Sequence, residues 1–234
     1  MGALIELKNI EKKYTAGDHD FYALRGVDLE IDSGQMVVIL GPSGAGKSTL
    51  LNLLGGMDSP SSGSIFFEGE DIAGYNDDEL TRFRAESVGV VFQFYNLIPT
   101  LTAYENVALM RDVKDDCDDP MHCLELVGLK DHAHQFPSQM SGGEQQRVSI
   151  ARAIAKKPKL LLCDEPTGAL DTDTGREVLR LLLDVCRNEG RTVVMVTHNA
   201  SFAQIADTVI RVKNGRVVST EINENPADAD VINY

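Results

Sequence analysis

The sequence has no uninterrupted apolar stretch close to the roughly 20 residues that a bilayer-spanning helix needs, so the chain is not expected to cross a membrane by itself. It has only four cysteines and no C-x-x-C pair. This spacing argues against a zinc module, and a chain of this length does not need disulfides for stability, so we expect reduced thiols. The first residues also lack the apolar segment of a signal peptide, which favours a cytoplasmic location.

Positive charge is scarce as well. Lysine and arginine number 22 against 36 aspartates and glutamates, which gives a net charge of −14. Because a protein that grips duplex nucleic acid needs a basic surface, we expect no nucleic-acid partner. With 43% hydrophobic residues the chain can still build a sizeable core, which excludes a disordered protein and fits one globular domain or a core with an inserted subdomain. Any site for a polyanion must therefore be local.

Runs of β-forming residues alternate with helical patterns along most of the chain. The predicted strands cover 5–10, 23–31, 35–40, 63–69, 88–92, 160–163, 192–196, 209–213 and 216–219. The predicted helices cover 47–54, 76–85, 145–156 and 174–187. This alternation predicts an α/β fold with a mostly parallel sheet covered by helices, in which ligands bind at the carboxyl ends of the strands.

Two parts of the chain depart from this alternation. The β signal fades at about 94–139, where short helical patterns predict an inserted helical subdomain. Near the other end, Asn214 and Gly215 separate two β-rich runs and predict a type I′ hairpin turn. The residues that follow, 221–234, are polar and acidic, and we expect them to form a flexible tail.

The strongest local motif is Gly41-Pro-Ser-Gly-Ala-Gly-Lys47-Ser48, which matches G-x-x-x-x-G-K-[ST] between an apolar strand and a helical run. Its glycines allow successive backbone N–H groups and a helix N-terminus to face a polyphosphate, while the lysine reaches the outer phosphates. The Ser48 hydroxyl is a suitable ligand for Mg²⁺. An ordinary glycine turn is the alternative, but the flanking strand and helix favour a phosphate loop.

Two adjacent carboxylates, Asp164 and Glu165, end another apolar run. In a parallel sheet the carboxyl end of this strand would lie beside the phosphate loop. Asp164 suits the support of Mg²⁺, and Glu165 suits the polarisation of a water that attacks a γ-phosphate in line. An acidic strand-to-loop transition is the alternative, and without the phosphate loop it explains the pair equally well.

A second candidate anion site precedes the predicted helix at 145–156. Ser141, Gly142 and Gly143 place one hydroxyl and two glycine amides at the N-terminus of this helix. An ordinary N-cap would explain the serine. It would not explain the glycine pair together with the polar run that follows.

These motifs resemble those of ATP-binding cassette (ABC) ATPases and occur in the order seen in that family. The resemblance also rests on Gln93 after its strand, on Asp171 and on His198, and it extends from Tyr14 to about residue 215. A chance match to so many ordered motifs is negligible.

The resemblance implies a P-loop NTPase fold in a single nucleotide-binding domain at 1–220. A RecA-like core would occupy 1–93 and 140–220, with an antiparallel β part near the N-terminus and the helical subdomain inserted between the two core segments. In this family two subunits pack head to tail, and each ATP lies between the phosphate loop of one subunit and the signature segment of the other. We therefore expect a homodimer in the ATP-bound state.

The resemblance also assigns roles in binding ATP and Mg²⁺. Tyr14 would stack on adenine, although it could simply pack against Tyr22. The residues expected to hold the phosphates are Gly41, Ser43, Gly44, Ala45, Gly46, Lys47, Ser48 and Thr49. Mg²⁺ would be held by Ser48, Gln93 and Asp164.

Three residues resemble the catalytic residues of the family. Glu165 looks like the general base, His198 like the switch residue that contacts the γ-phosphate, and Gln93 like the γ-phosphate sensor. The alternatives are an ordinary polar loop residue for His198 and a surface amide for Gln93. The ATP of the opposite subunit would be served by Ser141, Gly142 and Gly143, with Asp171 linking the two sites. Because every residue needed for hydrolysis is present, we expect an active ATPase.

The segment at 92–107, together with D-E-P-T-G-A-L-D and S-G-G-E-Q-Q-R, is similar to the MacB, LolD and FtsE group. Members of this group pair with FtsX-like membrane permeases, which implies efflux, lipoprotein release or peptide-antibiotic resistance at the inner face of the cell membrane. An apolar patch just past Gln93 would receive the permease, with core packing as the alternative; it comprises Phe94, Tyr95, Leu97, Ile98 and Leu101. A soluble ABC ATPase of DNA repair or translation is the competing class, but its usual coiled coils, zinc modules and basic surfaces are missing.

Overall fold

Two β-sheets organise the protein, and the computed structural model describes residues 3–16 and 19–232. The strands are β1 (Ala3–Ala16), β2 (His19–Asp32), β3 (Met36–Leu40), β4 (Ser62–Phe67), β5 (Glu70–Asp71), β6 (Val88–Val91), β7 (Leu160–Asp164), β8 (Thr192–Thr197), β9 (Thr208–Lys213) and β10 (Arg216–Ile222). The α-helices are α1 (Lys47–Leu54), α2 (Asp77–Ser87), α3 (Ala103–Ala108), α4 (Pro120–Leu126), α5 (Gly142–Ala155) and α6 (Thr172–Arg187). Short 3₁₀ helices cover Leu109–Asp112, Lys130–His132, Pro137–Gln139, Ala200–Gln204 and Ala229–Val231. No helix in the described part of the chain has the length and apolar character that crossing a bilayer requires.

The two sheets differ in strand direction. One is antiparallel in the order β2-β1-β4-β5. The other has the order β10-β9-β3-β8-β7-β6 and is parallel except for β10, which pairs antiparallel with β9. The predicted α/β class, with a parallel core and an N-terminal antiparallel part, is confirmed. Because β3, β8 and β7 are parallel neighbours, the segments that follow them meet at one edge of the sheet.

The parallel strands are buried on both faces, as in other sheets covered by helices. Val37 and Ile39 of β3 pack into a cluster with α1 and the antiparallel sheet. Met36, Val38 and Leu40 of the same strand pack into a second cluster with α5 and α6. Strands buried on both faces are continuously apolar, which is why these runs stand out in the sequence.

The helical subdomain predicted at 94–139 contains α3, α4 and three of the short 3₁₀ helices. Its hydrophobic cluster also includes Val148 and Ala151 of α5. Ile150 and Ile154 of the same helix pack into the cluster beneath the parallel sheet. Helix α5 therefore belongs to both hydrophobic cores. The predicted boundary between residues 139 and 140 leaves α5 outside the helical subdomain, although α5 completes the core of that subdomain.

The hairpin between β9 and β10 has the predicted turn. Asn214 and Gly215 have φ angles of 52° and 74°. Positive φ at both central residues is the requirement of a type I′ turn, and it matches the twist of the flanking strands. The prediction of this turn is confirmed.

Of residues 221–234, which we expected to form a flexible tail, the described residues 221–232 do not lie free of the fold. Strand β10 continues to Ile222, Asn223 bonds to Asp207 and Gln204, and residues 227–232 pack along α6. Ala229 and Ile232 are fully buried in the cluster that α6 shares with the parallel sheet. The polar composition misled the prediction, because two apolar residues suffice to anchor a segment whose other residues face solvent or arginines. The last two residues lie outside the described part.

All four cysteines are free, as expected. Cys123, Cys163 and Cys186 are buried, and burial raises the pKa of the Cys123 thiol to about 12 and that of Cys186 to about 11. These thiols are therefore protonated at neutral pH and act as small apolar side chains in the core.

Lys156, just after α5, predicts a pH dependence of stability. Its Nζ donates to the Arg84 carbonyl at 2.6 Å, and burial, assisted by the nearby Lys114, lowers its pKa from 10.5 to about 8. Between these two values the unfolded chain binds more protons than the folded one, so this group makes stability rise with pH from about 8 to about 10.5. In Lys156→Met protein we expect the free energy of unfolding to rise by about 1–2 kcal/mol less over this pH range, after allowance for partial solvent exposure.

Thermal unfolding of both proteins at pH 7 and pH 10 measures this effect. The variant should gain stability relative to the parent at pH 7, and the gain should shrink at pH 10. A difference that is the same at both pH values would contradict a lowered pKa for Lys156.

Candidate nucleotide-binding site

A cavity of about 380 Å³ opens at the carboxyl end of β3, where the predicted phosphate loop lies. Its lining residues are Phe21, Ala23, Ser43, Gly44, Ala45, Gly46, Lys47, Ser48, Thr49, Asp164, Glu165, Val196 and His198. The order of β3, β8 and β7 in the sheet explains this set, since the loop, His198 and the carboxylate pair each follow or end one of these strands. The structure thus brings the phosphate loop together with two motifs that lie more than 100 residues further along the sequence.

Close approach of the backbone explains the glycines of the loop. Gly44 and Gly46 have φ angles of 74° and 101°, which side chains rarely tolerate. A Cβ at Gly41 would lie 2.3 Å from the Val212 carbonyl oxygen, and one at Gly46 would lie 2.5 Å from that of Ala23. Within the described residues no side chain caps the N-terminus of α1. Its first N–H groups are therefore available to an anion.

Lys47 lies at the base of the loop with only 8% of its surface exposed. Its ammonium donates to the Gly41 carbonyl at 2.8 Å and to the Pro42 carbonyl at 3.1 Å. Among the described residues it forms no ion pair. A buried cation that is held by neutral carbonyls can interact with an incoming phosphate at full charge.

Asp164 and Ser48 are adjacent, as their predicted role at Mg²⁺ requires. The Ser48 hydroxyl donates to Asp164 Oδ1 at 3.4 Å. Burial, assisted by the charge of Glu165, raises the pKa of Asp164, while Ser48 and Lys47 oppose the shift. A divalent cation would favour the charged form of this carboxylate. A hydroxyl beside a partly buried carboxylate is an oxygen donor set that fits Mg²⁺.

Glu165 is held at both carboxylate oxygens. Thr197 Oγ1 donates to its Oε2 at 3.0 Å, and His198 Nδ1 lies 2.8 Å from its Oε1. The Glu165 side chain is 18% exposed and that of His198 is 73% exposed. Glu165 also has a φ of 46°, which is strained for a residue with a Cβ. Backbone strain of this kind persists where neighbouring contacts hold the residue in place, and it is common at functional sites. Here the strained residue is the predicted base, which directly contacts the predicted switch residue, His198.

Gln93 and Tyr14 do not line the cavity. Gln93 follows the edge strand β6, and its amide lies near Gly168, where an added Cβ would be 2.9 Å from Nε2. The Tyr14 hydroxyl donates to Asp58 Oδ2 at 2.8 Å. The roles of Gln93 at Mg²⁺ and of Tyr14 at adenine remain predictions.

Phe21 is the aromatic residue that sequence reasoning missed. It pairs across the antiparallel ladder with Tyr14 and lines the cavity, with 59% of its surface exposed. A phenylalanine directly after residues 17–20 and close before the predicted strand at 23–31 was the available signal. The sequence could not show that this ring, and not that of Tyr14, faces the phosphate loop.

Ser141, Gly142 and Gly143 form the signature segment. Its serine is an N-cap, which is the alternative that the sequence left open. Ser141 caps α5 by accepting from the Glu144 N–H at 3.3 Å, and its hydroxyl donates to Glu144 Oε2 at 2.8 Å. This capping box fixes where the helix begins. Ser141 does not line the cavity.

The two signature glycines lie close to neighbouring side chains. A Cβ at Gly143 would lie 2.0 Å from Thr174 Cγ2, and one at Gly142 would lie 2.7 Å from the Tyr95 hydroxyl. Thr174 in turn donates its hydroxyl to Asp171, which caps α6. The structure therefore joins the signature to Asp171 and leaves this group outside the phosphate-loop cavity.

Comparisons with known proteins agree with the motifs. The sequence profile of the family described as ABC transporter matches residues 24–168. The ABC transporter ATP-binding protein MJ0796 of Methanocaldococcus jannaschii is 43% identical over 227 residues, which cover 93% of this chain and 97% of that protein. A solved dimeric structure of MJ0796, in a post-hydrolysis state bound to ADP and Pi, has a TM-score of 0.86 at 41% identity and covers 93% of this chain and 98% of the other.

Other relatives are longer than this chain. An ABC transporter ATP-binding protein of Mycoplasma pneumoniae is 45% identical over 234 residues, which cover 99% of this chain and 50% of the relative. The macrolide export ATP-binding/permease protein MacB of Rhodopirellula baltica is 42% identical over 234 residues, which cover 97% of this chain and 34% of MacB. The chain thus spans half or less of these two relatives. On these matches and on the geometry of its phosphate loop, the chain belongs to the ABC transporter family as an ATP-binding domain, and it is an ABC ATPase.

Proposed function

We propose that the chain binds Mg·ATP in the phosphate-loop cavity and hydrolyses it in a dimer of two copies packed head to tail. The observation that carries this proposal is the separation of the predicted site residues into two groups on one chain. Ser141, Gly142 and Gly143 lie outside the cavity, so in a head-to-tail dimer the signature of one copy would close the cavity of the other. The structure of MJ0796 bound to ADP and Pi is dimeric, which supports a dimer of this chain.

Within each cavity, Lys47 and the N–H groups of the loop would bind the phosphates. Ser48 and Asp164 would hold Mg²⁺, which would neutralise phosphate charge when bound. Gln93 would join this set from the edge strand β6. Phe21 and Tyr14 are the aromatic candidates near the base of the nucleotide.

Glu165 would act as the general base. Its carboxylate would accept a proton from water as the water oxygen attacks the γ-phosphorus, and the bond to the bridging oxygen of ADP would break to release phosphate. Thr197 and His198 restrain both carboxylate oxygens, which limits rotation of the base. Preorganisation of this kind places the base for proton transfer.

A membrane permease would receive the conformational change at the patch beyond Gln93. Phe94 is 74% exposed and Ile98 is 41% exposed, so two large apolar side chains are exposed on one loop. Tyr95, Leu97 and Leu101 are only partly exposed, and Leu97 packs against the helical subdomain, as the alternative of core packing held. We assign the permease contact mainly to Phe94 and Ile98.

Contacts of the same loop link this patch to the signature. Arg152 of α5 donates to the carbonyls of Tyr95 and Asn96, at 3.1 and 2.7 Å. Tyr95 and Asn96 have φ angles of 59° and 50°, so the loop is held in a strained form. A permease that displaced Phe94 would pull on α5, whose first turn carries the signature glycines.

We further propose that the permease is FtsX-like and of the MacB type, and that the chain works peripherally on the inner face of the cell membrane. The similarity to MacB and the sequence at 92–107 support this branch. A soluble ABC ATPase without a permease is the alternative. The net charge of −14 opposes the nucleic-acid partners of that class, and we propose no such partner.

Capture of membrane proteins with Glu165→Gln protein and Mg·ATP tests the proposal, with Lys47→Ala protein as the nucleotide-site control. We expect an FtsX-like permease with the first protein and not with the second. Adding Phe94→Ser should abolish capture, whereas Ile222→Ser, which alters an apolar residue that is 79% exposed elsewhere on the surface, should not. Recovery of ribosomes or DNA-associated proteins without any membrane protein would support the soluble alternative.

A further inference from the structure

Residues 227–232, here called the α6 strap, are tied to α6 by three arginines. Arg187, in the last turn of the helix, donates to Asp228 at 2.7 Å and to the Ala227 carbonyl at 3.1 Å. Arg180, in the middle, donates to Asp230 at 2.8 Å. These contacts run the length of the helix, so the strap is held along its whole course.

The third arginine, Arg176, joins the strap to the start of α6. Its Nη2 donates to the Ile232 carbonyl at 3.1 Å, and its Nη1 donates to Asp173 Oδ1 at 3.3 Å. Ile232 is fully buried, so its carbonyl is a fixed point of the core. Arg176 therefore ties the first turn of α6 to a buried residue of the strap.

The same turn of α6 supports the signature. Thr174 packs so closely on Gly143 that no Cβ fits between them, and it hydrogen-bonds to Asp171 at 2.7 Å. One turn later, Glu177 accepts from Arg147 of α5 at 2.7 Å. The start of α6 thus lies between the α6 strap on one side and the signature helix on the other.

We propose that Arg176 is a positioning residue for the ATP-bound dimer. It acts through the first turn of α6, holding Thr174 where it supports Gly143 and holding Asp171 at the cap. The inference rests on the proposed function, because only the head-to-tail dimer brings this group against a nucleotide. Loss of Arg176 would leave the phosphate-loop cavity intact and weaken the surface that must close the cavity of the second copy.

The chain offers a matched control in Arg187. It holds the same strap through a carboxylate and a carbonyl, but it lies 11 residues further along α6, a distance of roughly 16 Å at the helical rise per residue. Arg176→Met and Arg187→Met each keep an aliphatic stem and remove the hydrogen bonds to the strap. If the strap merely stabilises the fold, both variants lose stability and neither specifically alters the dimer.

The experiment uses the full chain in the Glu165→Gln background and measures dimer formation against protein concentration with saturating Mg·ATP, by sedimentation. We expect Arg176→Met to raise the concentration for half-dimerisation roughly tenfold, with Arg187→Met within twofold of the parent. ATP affinity of the monomer, measured at low protein concentration, should stay unchanged in both. Arg176→Lys retains one donor group and should restore part of the loss, and it also serves if the methionine variant does not fold.

Each outcome has one meaning. Equal dimerisation of the Arg176→Met and Arg187→Met variants would overturn the positioning role. A lowered ATP affinity of the Arg176→Met monomer would overturn it too, because the effect would then reach the phosphate-loop cavity. Failure of the parent Glu165→Gln protein to dimerise at all would instead refute the proposed head-to-tail function.

Discussion

Glu165→Gln is expected to abolish nearly all ATP hydrolysis while leaving nucleotide binding intact. Glutamine can keep the hydrogen bonds to Thr197 and His198, so the geometry of the site should be preserved. It cannot accept a proton from the attacking water, and losses of about 10²–10⁴-fold in rate are typical for removal of a general base. Phosphate release in steady state measures the effect.

The same substitution should cause a dimer to accumulate with ATP. It removes one negative charge from each cavity at the point where phosphate binds, and it blocks the step that would release the two copies. Sedimentation with and without Mg·ATP should show a monomer that becomes a dimer. Normal hydrolysis in this variant would show that Glu165 is not the general base and would leave His198 as the catalytic candidate.

Lys47→Ala is expected to have the second large effect, on binding itself. The ammonium is nearly buried and held by the Gly41 and Pro42 carbonyls, so its charge is little screened by solvent. Hydrogen bonds to a charged group contribute about 1.5–3 kcal/mol, which corresponds to a loss of roughly 10–100-fold in ATP affinity. Calorimetric titration with Mg·ATP measures it, and no ATP-dependent dimer should form.

Lys159→Ala is the matched control for this loss. It removes the same charge from a side chain that is 56% exposed and pairs with Glu68 on the surface, away from the cavity lining. ATP affinity should stay within about twofold of the parent, because exposed pairs contribute little. If Lys47→Ala bound ATP as tightly as Lys159→Ala, the phosphate-loop assignment would be wrong.

Local patterns were sufficient to predict most elements of the fold. Strands buried on both faces are continuous apolar runs, so β3, β7 and β8 were found within one residue at each end. Helix α1 has the bounds that helix propensity predicted, and the hairpin turn lies at the predicted residues, Asn214 and Gly215, where positive φ angles are tolerated. These features depend on neighbours in the chain, and a sequence displays such neighbours directly.

The candidate site was predictable for a related reason. The phosphate loop, the carboxylate pair and His198 each follow a strand, and parallel strands end at one edge of a sheet whatever the order of the strands. The sequence therefore predicted that these groups lie at the same edge of the sheet. Their contacts, such as His198 on Glu165 and Ser48 on Asp164, depend on which strands are adjacent, and the sheet order had to be seen.

Only the tertiary structure decided three other matters. It placed Phe21 in the cavity lining, whereas Tyr14, its cross-strand partner, donates its hydroxyl to Asp58 and lies outside that lining. It showed that α5 packs into two hydrophobic clusters, and it packed the strap at 227–232 against α6 where composition predicted a flexible tail. Each of these outcomes depends on contacts between residues distant in the chain. The sequence determined which reactive groups the protein carries, and long-range packing decided which parts of the fold contact those groups.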